Sequence, residues 1–124
     1  MAQSQNKSVE LTMKATSYNG LPTYGNVMLG DKAFEFYNER NPEDYIQIPW
    51  DEIDHIAASV VLGKKIPRFA IFTKENGHFT FSALDNKATL RCVRDHVGED
   101  RMLRSPSFFQ VIGRGLKSLL HLGR

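Results

Sequence analysis

Seven short runs in which apolar and polar residues alternate, each broken off by a turn, fill residues 8–84. A period of two puts successive side chains on opposite faces and marks a half-buried strand. In SVELTMKATS, Val9, Leu11, Met13 and Ala15 share one face, with Glu10, Thr12 and Lys14 on the other. TYGNVML follows the turn pair Asn19-Gly20, and KAFEFYN follows Gly30-Asp31, with Phe34 and Phe36 set against Glu35 and Tyr37. The polar turn ERNPED leads to YIQIP, and the next run is Ile53–Leu62. RFAIFTK and HFTFSAL flank Glu75-Asn76-Gly77, whose Asn-Gly pair is a strong hairpin signal. Connections this short predict mostly antiparallel pairing.

The period then changes. Asp85 is placed to cap a helix through its carboxylate. Leu90, Val93 and Val97 recur at helical spacing, and Gly98 stands where the helix should stop. Cys92 lies one residue off that stripe, as a structural thiol would. The fold class is therefore mainly β with a C-terminal α element. One helix after about seven antiparallel strands suits a bent barrel of the pleckstrin-homology-like plan, with the helix capping an open end. By analogy, such barrels are scaffolds for lipid headgroups, peptides or proteins. The stretch YIQIPWDEIDHIAAS resembles the pattern of aromatic, two acids, Ile, x, x, Ile found in GRAM-type and bacterial pleckstrin-homology-like domains. In that pattern Trp50 is a core residue or half-buried anchor.

The chain has 124 residues, enough for one domain over 1–100 with an appendage over 101–124. Its one cysteine rules out an intrachain disulfide and suits a reducing cytoplasm. MAQSQNKSVEL lacks the pattern of a secretory signal, and no run approaches the roughly 18 apolar residues of a transmembrane helix. A cytoplasmic protein is expected.

The charge is unevenly spread. Residues 1–100 carry 11 Lys and Arg against 14 acids, whereas 101–124 carry five basic residues, including Arg101 and Arg104, and no acid. A basic tail on a mildly acidic body predicts a negative partner. On a helical wheel, Phe108, Ile112, Leu116 and Leu119 share one face, which Phe109 and Leu120 widen on one side and Val111 and Gly115 on the other. Arg114, Lys117 and His121 lie opposite, and Ser105-Pro106 suits a helix start. Three roles fit this amphipathic helix: packing on its own barrel, docking on a protein or a second copy of the chain, or lying in an anionic lipid interface. A nucleic-acid arm would leave the apolar stripe without a use, so no nucleic acid is expected.

Catalytic signals are lacking. There is no G-x-S-x-G, P-loop or G-x-G-x-x-G. His55, His78, His96 and His121 show no cysteine or histidine neighbour at the spacing of a metal site, so neither metal nor cofactor is expected. His55 beside Asp51, Glu52 and Asp54 reads as a solvated turn rather than an acid-imidazole pair. Lys64, Lys65 and Arg68 form a basic loop that either solubilises a hairpin or binds anionic headgroups.

KATSYNGLPTYGNVMLGDKAFEFYNERN, YIQIPWDEIDHIAASVV, IPRFAIFTK and DRMLRSPSFFQVIGRG together resemble the ManO family of small bacterial proteins across nearly the whole chain. ManO-like proteins accompany mannose-type sugar phosphotransferase transporters in Gram-positive bacteria. The resemblance implies a non-enzymatic accessory or regulatory protein that binds the membrane subunits of such a transporter, peripherally at the inner face of the plasma membrane. It implies no catalytic residue, and self-association is compatible with an oligomeric transporter. Two rival classes stay open: an anionic-lipid-binding module without a protein partner, and an enzyme whose pocket only a structure would reveal.

Overall fold

The computed structural model describes residues 3–105. The expected tail helix, with Phe108, Phe109, Ile112, Arg114, Leu116, Lys117, Leu119 and Leu120, lies outside the described residues. Seven antiparallel strands occur where alternation places them: β1 (Val9–Ser17), β2 (Thr23–Gly30), β3 (Ala33–Asn38), β4 (Tyr45–Pro49), β5 (Ile53–Ser59), β6 (Phe69–Thr73) and β7 (His78–Ala83). Helix α1 (Asn86–Val97) follows, and a strand that the periodicity did not announce, β8 (Met102–Ser105), closes the described chain. Asp85 accepts a hydrogen bond from the backbone N–H of Ala88, and Gly98 ends the helix at φ 95°, as expected.

All eight strands form one sheet in the order β4-β3-β2-β1-β7-β6-β5-β8. Consecutive β4 and β5 stand six places apart, which is about 29 Å in a flat sheet. Pro49 and Ile53, joined by the 3₁₀ turn Trp50–Glu52, can be at most about 14 Å apart. The sheet must therefore curl back on itself, which makes it the bent barrel of the pleckstrin-homology-like plan. Into its interior point Val27, Leu29, Phe34, Phe36, Ile48, Ile53, Ile56, Phe69, Ile71 and Phe81, and α1 plugs the opening with Leu90 and Val93. Phe81 is the hub, with its ring centroid 5.0 Å from Phe34, 5.8 Å from Phe36 and 6.1 Å from Phe69.

Three expectations need correction. Val9 does not share the inner face of β1: the register slips between Val9 and Leu11, and the bulge leaves Val9 exposed. The apolar run Ile53–Leu62 does not stay extended, because its strand stops at Ser59 and a tight turn follows. β8 lies parallel to β5, with Ile56 opposite Met102 and Ser59 opposite Ser105, so the sheet runs past residue 100. Glu35 does face outward, but it is fully buried.

The cover over Glu35 is the N-terminal segment. Ser4 donates to Glu35 Oε1 at 2.6 Å, the Gln5 N–H to Oε2 at 2.7 Å and Asn6 Nδ2 to Oε1 at 3.2 Å. Asn6 Oδ1 accepts from the N–H groups of Lys32 and Ala33 at 2.8 Å each. The strap lies so close to β2 that a Cβ on Gly30 would sit 2.2 Å from the Ser8 carbonyl oxygen. Hydrogen bonds to a charged acceptor contribute about 1.5–3 kcal/mol each, and they do not add fully. Glu35→Ala is therefore expected to lower the unfolding free energy by about 3 kcal/mol, measured by urea titration with the fluorescence of Trp50 as the probe.

Candidate binding groove

A groove of 480 Å³ opens between the β5–β6 loop, α1 and β8. Its floor is apolar: Ala58, Val60, Ile66, Leu90 and Met102. Its walls carry Lys64, Lys87, Arg91, Arg94 and Arg104 against a single acid, Glu99. Lys87, Arg91 and Arg94 recur at four and three residues, so they form one stripe on α1, beside the Leu90 and Val93 face that enters the barrel. Among the described residues, none of the five cations pairs with a carboxylate. A second hollow adjoins the groove, shares Lys64, Ile66 and Lys87 with it, and adds Lys65, Pro67 and Leu84.

The loop is held firmly at its base. Asn86 Nδ2 donates to the Ile66 carbonyl at 2.7 Å, while Asn86 Oδ1 accepts from the Ala83 N–H at 2.7 Å. Ser82 Oγ donates to the Pro67 carbonyl at 2.8 Å. Above this base the Val61 N–H donates to Lys65 O at 2.7 Å around a tight turn with two successive left-handed residues, Leu62 (φ 56°) and Gly63 (φ 74°). Glycine takes that conformation freely, whereas leucine bears a cost of roughly 1 kcal/mol. The turn nonetheless holds Leu62 out to solvent at 75% exposure. Leu103 (48%) is exposed on the groove wall and Leu84 (81%) in the adjoining hollow. Cations without a carboxylate partner among the described residues thus stand beside exposed leucines around an apolar floor.

The structure sorts the basic residues singled out in the sequence. Lys64 and Arg104 meet in the groove, and Lys65 flanks it. Arg68 is elsewhere, with its guanidinium 4.5 Å above the centroid of the Tyr18 ring. Arg101 is turned inward and donates to the carbonyls of Ile53 at 2.9 Å and Asp54 at 3.3 Å, so it ties β5 to the helix exit. Lys87, Arg91 and Arg94 were missed, although their spacing on a helix already expected at 85–97 was the available signal.

His55 Nδ1 lies 2.7 Å from Asp54 Oδ2, and its ring stacks on Phe72 at 4.4 Å. This hydrogen bond holds the Asp54 carboxyl below the usual aspartate range. Asp51 and Glu52 stay solvated on the 3₁₀ turn, but the expectation of a solvated turn is corrected at His55, which forms an acid-imidazole pair with Asp54. Trp50 is a half-buried anchor whose indole N–H donates to the Gly30 carbonyl at 2.8 Å.

On the opposite flank of α1, Glu10, Cys92 and His96 converge, with His96 Nε2 2.6 Å and Cys92 Sγ 3.6 Å from Glu10 Oε1. Burial, and then the Glu10 carboxylate, push the Cys92 thiol up to about 11, so it is protonated and a poor nucleophile at neutral pH. The expectation that no histidine has a neighbour at metal-ligand spacing is corrected here, because Cys92 and His96 stand one helical turn apart.

Solved structures share this architecture. The C-terminal domain of an unknown protein from Leishmania infantum superposes with a TM-score of 0.64 at 13% identity, over 73% of this chain and 84% of that one. The Vps36 N-terminal PH domain superposes with a TM-score of 0.54, also at 13% identity, over 74% of this chain and 83% of that one. These likenesses establish a pleckstrin-homology-like fold. No curated protein matches the chain by sequence. Residues 1–116 match the model of the family described as domain of unknown function (DUF956), and the chain belongs to that family.

Proposed function

We propose that this protein is a non-enzymatic binding module that docks on the cytoplasmic side of a mannose-type sugar phosphotransferase transporter and modulates it by occlusion or stabilisation. The observation that carries the reading is the groove, where five cations without a carboxylate partner among the described residues, together with the exposed Leu103, surround an apolar floor. Arginine forks at Arg91, Arg94 and Arg104 suit carboxylates or phosphates on a partner surface. Leu84 and Leu103 would contribute apolar area on contact. β8 brings Leu103 and Arg104 to the groove wall. The resemblance to ManO proteins supplies the transporter as the partner class, and an oligomeric transporter would receive several copies.

A second reading has an observation of its own. Leu62 projects from the tip of a lysine-bearing loop in a costly conformation, as a residue inserting between anionic lipids would. Sedimentation with membranes separates the two readings. The transporter reading expects the full-length protein to pellet with membranes that contain the transporter, to stay in solution with matched membranes that lack it, and to be released as salt screens the contacts. Equal capture by both membranes and by protein-free anionic vesicles would assign binding to lipid instead.

A further inference from the structure

We propose that Glu10, Cys92 and His96 form a site for a zinc-class divalent cation that bridges β1 and α1. The three donors, Glu10 Oε1, Cys92 Sγ and His96 Nε2, lie within 4.8 Å of one another. Carboxylate, thiolate and imidazole together are a zinc donor set, with the fourth position of the tetrahedron left to water. Tetrahedral ligation at bond lengths of about 2.0–2.3 Å spaces the donors by about 3.3–3.6 Å. The Sγ to Oε1 separation is already 3.6 Å. The 2.6 Å between Nε2 and Oε1 must open by about 0.7 Å, and Nε2 and Sγ lie within 4.8 Å of each other. Glu10 can make that movement, because its side chain is 42% exposed and its strand is bulged between Val9 and Leu11.

The other two ligands are preorganised. Cys92 and His96 stand one turn apart on α1 and reach the same carboxylate oxygen. The His96 ring is stacked on Trp50, with centroids 4.3 Å apart and planes 5° from parallel. Trp50 is fixed in turn by its bond to Gly30. Without a metal, the same atoms make a hydrogen-bonded tie in which Glu10 accepts from both neighbours. With a metal, the thiol proton leaves to solvent, the Nε2 proton of the neutral His96 ring is exchanged for one on Nδ1, and the cation replaces both hydrogen bonds by coordination. The bridged helix is the one whose other flank carries Lys87, Arg91 and Arg94, so the cation would stiffen the wall of the groove.

Cobalt(II) titration of the reduced, full-length protein tests the site. Cys92 is the one cysteine in the chain, so any thiolate-to-cobalt charge-transfer absorption reports on it alone. The expected result is a band that saturates at one equivalent, is bleached by Zn²⁺ and is absent from Cys92→Ser. Affinity should fall about tenfold or more in His96→Ala, since even outer-shell partners of a metal contribute that much. Zn²⁺ should raise the melting temperature of the wild type and leave that of Cys92→Ser unchanged, which separates a lost site from a lost fold. Absence of the band at one equivalent, or an equal cobalt affinity in His96→Ala, would overturn the proposal.

Discussion

Phe81→Ala is expected to lower the unfolding free energy by about 3–5 kcal/mol, the largest stability change of any single substitution proposed here. Phe81 is fully buried, and its ring is within 6.1 Å of the rings of Phe34, Phe36 and Phe69. Truncation removes apolar contact with all three and leaves a void that a curled sheet cannot close without shifting several strands at once. Tilted aromatic pairs add about 0.5–1.5 kcal/mol beyond area burial, and three are lost here. The melting temperature should drop by about 15–20 °C in a calorimetric scan. The damage should also reach the groove, because Phe81 adjoins Ser82, whose hydroxyl holds the Pro67 carbonyl at the base of the basic loop. Leu21→Ala is the control: Leu21 is 87% exposed, so stability should change by less than about 0.5 kcal/mol.

Most of the fold was legible because its signals are local. Alternation in the runs containing Phe34 and Phe36, or Ile71 and Phe81, states which residues face inward, and Asp85 and Gly98 mark a helix at both ends. β8 was not legible for the opposite reason. Met102–Ser105 is four residues long, and its partner Ile56–Ser59 lies far back in the chain and runs parallel. Such a pairing exists only once the sheet has curled and α1 has brought the chain back to its edge. Glu35 shows a different gap. The pleat fixes the face of the sheet on which it lies, but a strap of small polar residues can bury that face without any periodicity of its own.

The groove falls between these cases. Lys64 and Lys65 drew attention as a basic loop, and the stripe of Lys87, Arg91 and Arg94 follows from helical spacing. Their convergence with Arg104 depends on β8 and so is a tertiary fact. Arg101 is the converse, since it counts as tail charge in the sequence and is consumed by the carbonyls of Ile53 and Asp54. Cys92 and His96 stand at ligand spacing in the sequence, but the third donor, Glu10, comes from a strand more than 80 residues away and is a tertiary fact.

The groove's role is tested most directly by neutralising its helical wall. Lys87→Gln, Arg91→Gln and Arg94→Gln remove three positive charges, keep residues that favour helix and leave Leu90 and Val93 in the barrel. A basic side chain near an anionic surface contributes about 1 kcal/mol, so the triple variant should bind about a hundredfold more weakly. The measurement is sedimentation of full-length wild type and triple variant with transporter-bearing membranes at fixed salt, after thermal melting has shown the two to be equally folded. Loss of membrane capture by the folded triple variant is the predicted result. Capture equal to that of the wild type would contradict the assignment of the groove as the docking surface.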